Sequence, residues 1–169
     1  MGKKICILLL GGPIPEMGKR LEKSIQYVNE NPENKYTFVV TGLSDELSFF
    51  DEELGKKGLQ VEKSIFSWDT FSNLEEVFFS DLWIDYAIIA TGKWHGRRVH
   101  NLLKMMKVES EFYDPEEMKN PILDVEKIQI LDSEEVEHIF RMKVLNLLYS
   151  RFWSAKLMSK LAKKLRIKN

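Results

Sequence analysis

Apolar residues along this chain follow two alternating periods. The short runs Lys4–Leu10 (KICILLL), Tyr36–Val40 and Tyr86–Ala90 have the length and density of strands buried on both faces. Between them the apolar positions recur at helical spacing. Leu21, Ile25 and Val28 mark a helix over Glu16–Glu30 that Asn31-Pro32 stops. Leu47, Phe50 and Leu54 mark a second, capped by Ser44 or Asp45 and ended near Lys57 by Gly58. Leu74, Val77, Phe78 and Leu82 follow a helix start at Trp68-Asp69. Another helix leaves Thr91-Gly92 and runs to Met106. Val61–Phe66 is a weaker strand, Val108–Tyr113 a fifth, and Lys127–Leu131 one more. Asp114–Asp124, with two prolines, reads as a loop, and Ser133–Tyr149 and Trp153–Arg166 as terminal helices. This alternation predicts a three-layer α/β fold with a mostly parallel sheet of about five strands. Residues 1–132 form the α/β domain, and 133–169 a helical extension packed on it.

Composition narrows the class. At 169 residues, 44% hydrophobic and 30% charged, the chain has the makeup of one ordinary globular domain. Cys6 lies inside the first apolar run, which predicts a buried structural thiol. Lys3-Lys4 and the apolar residues after them imitate a signal peptide, but the run is short and ends in Gly-Gly-Pro. With no run long enough to span a bilayer, a cytoplasmic protein is expected. A net charge of −1 hides an asymmetry: after Glu137 there are nine Lys/Arg and no Asp/Glu, against 16 basic and 26 acidic residues in the first 137. An acidic body argues against nucleic acid as a partner.

Candidate chemistry gathers at the strand ends. Gly11-Gly12, Thr41-Gly42, Ser67 with Thr70, and Thr91-Gly92 each follow a strand, and in a parallel sheet those ends share one edge and one crevice. The strand–glycine–helix passage at Thr91-Gly92 predicts an anion site built from free helix N–H groups. His95 and Arg98, three apart on one helix face, are the candidate catalytic pair: Arg98 as anion clamp, His95 as donor or proton carrier. Thr91 precedes them. S-x-x-T-x-x-N places Ser67, Thr70 and Asn73 around a helix start, either as caps or as ligand contacts. Glu46 either bonds a ligand or serves the first turn of its helix. His95 and His100 diverge on a helix, so no zinc site is expected. The nucleophile elbow, the Walker loop and the dinucleotide glycine pattern are all absent. Phe152, Trp153, Leu157, Leu161 and Leu165 among lysines suit docking on the domain itself, a homodimer contact, or peripheral attachment to an anionic membrane.

LLLGG, Arg20-Leu21, the TG before Glu46, Ser67–Asn73 and ATG-x-x-H-x-x-R at Ala90–Arg98 occur in that order. Together they resemble the YdcF/SanA/ElyC-like family over roughly residues 4 to 113. Ser64, Ser72 and Gly92 differ from the family's usual residues. The resemblance implies a Rossmann-like sheet with a ligand crevice at these motifs. It also implies an association with the bacterial cell envelope and, for a soluble branch, S-adenosylmethionine as cofactor. The expected function is binding of an anionic or nucleotide-like small molecule, acting on phosphate or adenosyl compounds if the protein is an enzyme. A non-catalytic interaction protein using its basic C-terminal helix is the alternative.

Overall fold

The computed structural model describes residues 3–82, 84–109, 125–135 and 139–166. Its first strand shows how the layers arise. In β1 (Lys4–Leu10) side chains alternate between faces, so Cys6, Leu8 and Leu10 enter one apolar cluster while Ile5, Ile7 and Leu9 enter another. The second cluster packs under α1 (Ile14–Glu30) and α2 (Ser44–Lys56), through Met17, Leu21, Phe50 and Leu54. The first packs under α3 (Thr70–Phe79), α4 (Lys93–Val108) and the chain's final helix. A strand buried on both faces is what the KICILLL run specifies.

Five parallel strands form the sheet, in the order β3-β2-β1-β4-β5, with β2 at Lys35–Gly42, β3 at Val61–Phe66, β4 at Ala87–Thr91 and β5 at Ile128–Asp132. The chain winds outward from β1 to β3, then returns to place β4 on the other side of β1. Loops leaving β1 and β4 therefore part to opposite faces, and a crevice opens at their carboxyl ends. This is the three-layer, Rossmann-like α/β arrangement expected from the sequence.

Three element expectations need correction. Val108 ends α4, 78% exposed, instead of opening a fifth strand, and 110–113 lies outside the described residues, as does the Asp114–Asp124 loop. The edge position beside β4 goes instead to Ile128–Asp132. Ser133–Glu135 is irregular loop, with Glu134 at φ +55°, and the helix expected from Ser133 is described only over α5 (Ile139–Leu148). Ser44 lies inside the first turn of α2, whose N-cap position is Leu43. Finally α6 (Phe152–Arg166) packs with α5, and both rest on α4. Among the described residues no helix is long and apolar enough to cross a membrane.

Candidate functional site

Two glycines let the first two strand ends meet. The Gly11 N–H donates to the Thr41 carbonyl at 2.6 Å, extending the β1–β2 ladder. A Cβ on Gly11 or Gly42 would collide with the Glu46 carboxylate, and Gly42 sits at φ +153°. Glu46 itself turns back to accept the Leu43 N–H at 2.8 Å, serving an α2 N-terminus that has no side-chain cap. Of its two expected roles, the helix-start role is the one the hydrogen bonding displays.

At the third strand end the capping of α3 falls to other residues than the S-x-x-T-x-x-N set. Asp69 is the N-cap, accepting the Ser72 N–H at 2.9 Å, while Ser72 Oγ accepts the N–H groups of Trp68 and Asp69. Ser67, Thr70 and Asn73 are thereby released from capping. Ser67 Oγ donates to Asn73 Oδ1, which leaves the Asn73 amide N–H₂ as the group that can meet a ligand. Thr70 Oγ1 lies 3.0 Å from His95 Nε2, and accepts from Arg98 Nε and Nη2 at 3.3 and 3.2 Å.

His95 is enclosed. Its Nδ1 lies 2.8 Å from Thr91 Oγ1 and 3.3 Å from an Arg20 Nη2 that can only donate. Thr91 gives its one hydroxyl proton to Glu135, so it accepts from His95 Nδ1–H at 2.8 Å, and Nε2 is left to accept the Thr70 hydroxyl; the Arg20 approach at 3.3 Å is the longer contact. Burial first, then the Arg98 and Arg20 guanidiniums, hold the imidazole well below its ordinary pKa of 6.5. His95 is therefore neutral near pH 7. Both ring nitrogens are engaged by threonine hydroxyls, Nδ1 by Thr91 and Nε2 by Thr70.

Beneath His95 runs the ion pair that the residue pattern concealed. Arg20 donates to the Leu10 and Gly11 carbonyls at 2.7 and 2.8 Å, satisfying acceptors at the end of β1. It also meets Glu135 at 2.9 Å and Glu16 at 3.3 Å. Burial pushes the Glu16 carboxyl up against the opposing pull of Arg20. The Glu135 carboxylate in turn accepts from the Gly92 N–H, from Thr91 Oγ1 at 3.1 Å and from Ser133 Oγ at 3.2 Å. An anion does sit at the start of α4, as the strand–glycine–helix passage predicts, but it belongs to the chain. That corrects the expectation of free N–H groups there.

Above these groups lies a cavity of about 1290 Å³. Gly11, Gly12, Glu46, Ser67, Thr70, Asn73, His95 and Arg98 all line it, as the strand-end reading anticipates. Thr41, Gly42 and Thr91 do not: Thr41 and Thr91 are fully buried, while Gly42 packs on Gly11 and Glu46. The far wall comes from α5, α6 and the turn between them, through Met142, Leu145, Tyr149, Met158 and Leu161. Tyr149 Oη and, at 3.0 Å, Ser159 Oγ donate to the Asp69 carboxylate, which fastens this wall to α3. Arg20 carried a signal in the sequence, a lone charge between Met17 and Leu21 on a buried helix face. Glu135 lies in a segment without periodicity and carried none.

Among the described residues no three His, Cys, Asp or Glu side chains group as a metal site requires. Compared with protein-family models, curated proteins and solved structures, the chain matches none.

Proposed function

We propose that the chain binds an anionic or nucleotide-like small molecule in the cavity at the carboxyl edge of the sheet, in keeping with its resemblance to the YdcF/SanA/ElyC-like family. One observation carries this reading. Asn73 and Arg98 line the cavity floor together, and with Asn73 Oδ1 taken by Ser67 the Asn73 amide N–H₂ is turned to donation, beside a guanidinium held against Thr70. Arg98 brings positive charge and Asn73 a neutral donor, a pair suited to an anionic group. The volume exceeds the roughly 300–1,000 Å³ of common ligand pockets, which accommodates a nucleotide or a longer molecule. In this reading His95 orients Thr70 and stays neutral, so the site recognises its ligand without proton transfer through the imidazole.

The test is a thermal-shift panel of S-adenosylmethionine, nucleotides, sugar phosphates and a polyprenyl-phosphate analogue. A true ligand at about 100 times its Kd stabilises the fold by roughly 2.7 kcal/mol. Thr70→Val and Arg98→Lys should abolish that shift while leaving the ligand-free Tm close to the parent's. A shift that survives both substitutions places the ligand elsewhere and sinks the proposal.

A further inference from the structure

The outer surface of α5 and α6 is apolar where a helix packed on its own domain should be polar. On α6 the inner face carries Phe152, Ala155 and Met158 into the core. The opposite face carries Trp153, Leu157, Leu161 and Leu165, each four residues from the last, with exposures of 59%, 58%, 44% and 67%. At about 100° per residue these form one continuous stripe. On α5 the inner face holds Met142 and Leu145, continued by Tyr149 in the turn that follows, while Phe140, Val144, Leu147 and Leu148 form a second exposed stripe. Both helices rest on α4 and touch each other, so both stripes turn away from α4.

Charge identifies what covers this surface. Lys156, Lys160 and Lys163 run along one flank of the α6 stripe, with Lys164 nearer its centre. Arg141, Lys143 and Arg151 are exposed on α5 and the turn that follows it, and no acidic residue occurs after Glu137. Lysine stems beside an apolar stripe place methylenes on the acyl boundary and ammonium groups among lipid phosphates. A tryptophan at the edge of such a stripe suits the headgroup level. Protein interfaces, by contrast, are depleted in lysine.

We propose that the exposed α5–α6 face seats the protein on an anionic lipid bilayer, lying in the interface without crossing it. Leu161, Lys164 and Leu165 belong both to this face and to the cavity lining, so the docked protein holds the cavity rim against the lipid headgroups.

The test is co-sedimentation of the full chain with phosphatidylcholine vesicles and with vesicles carrying about 30% phosphatidylserine, where each surface lysine adds attraction that salt screens. The expected result is at least ~10-fold stronger partitioning to the anionic vesicles, falling several-fold at high salt. Two variants separate the contributions. A Lys156→Glu, Lys160→Glu, Lys163→Glu triple variant should lose the preference for anionic lipid. Leu157→Gln alone, a single exposed change that spares folding, should weaken binding to the anionic vesicles several-fold. Equal partitioning to both vesicle types, or variants that bind as the parent does, overturns the proposal. So does a stable dimer that Leu157→Gln dissociates while the parent ignores vesicles, since the face is then an interface between two copies of the chain.

Discussion

Arg20 and Glu135 meet at 2.9 Å although 115 residues separate them, and both side chains are almost wholly buried. Arg20 holds the carbonyl end of β1, and Glu135 holds the first turn of α4. The pair therefore staples the two sides of the switch point, one strand apart. Glu135→Ala leaves a guanidinium buried with its main counter-ion gone. Removing one partner of a buried pair costs about 3–5 kcal/mol, or roughly 10 °C in Tm for a domain of this size. Calorimetry on the purified variant checks it, and a drop within experimental scatter of the parent would show that Glu16 alone suffices.

The buried imidazole makes stability depend on pH in one direction. His95 stays neutral in the fold, with its pKa well below 6.5, whereas the unfolded chain protonates near the ordinary value. Below that value the unfolded state binds the extra proton, so stability rises with pH and is lost as the pH falls from about 6.5 toward 5. Urea midpoints for the parent and for His95→Gln should converge as the pH drops through this window. Curves that stay parallel would contradict a neutral buried His95.

Two glycines in the same chain should respond oppositely to alanine. Gly42 combines φ +153° with a Cβ position already occupied by Glu46, so Gly42→Ala should lower stability by about 1–3 kcal/mol. Gly18, inside α1, has nothing within 4 Å of a built Cβ. Gly18→Ala should raise stability by about 0.5–1 kcal/mol. Chemical denaturation at unchanged m-value reads both.

Cys6 should be inert. Burial pushes its thiol up to about 12, and its side chain sits in the core under α3 and α4. Iodoacetamide should label it only as fast as the domain opens, with the rate accelerating in urea. Rapid labelling of the native protein would mean that β1 is far less protected than its packing implies.

The sequence conveyed the architecture because both faces of the sheet are covered, so strands appear as solid apolar runs and helices as periodic ones. It conveyed the crevice because parallel strands end together, and Ser67, Thr70, Asn73, His95 and Arg98 do converge on one cavity. Two things were hidden for different reasons. Val108 and the aromatics after it have strand-like composition, yet Val108 belongs to an exposed helix end, where propensity loses to chain continuity. Glu135 could not be paired with Arg20 from spacing, because the pairing exists only once β5 lies beside β4. With Glu135 unseen, the helix start at Gly92 read as an open anion site.

One carboxylate has a consequence for timing. Asp69 caps α3, whose first residue is Thr70, and the same carboxylate holds Tyr149 and Ser159 of the cavity's far wall. The helix that carries Thr70 and Asn73 and the far wall of the cavity are thus joined at one carboxylate, beside the edge-to-face contact of Phe71 and Phe152. For a ligand bound as proposed, this polar joint would set how fast it arrives and departs, and the groups beneath it the affinity. Tyr149→Phe should quicken both steps together and leave their ratio nearly untouched.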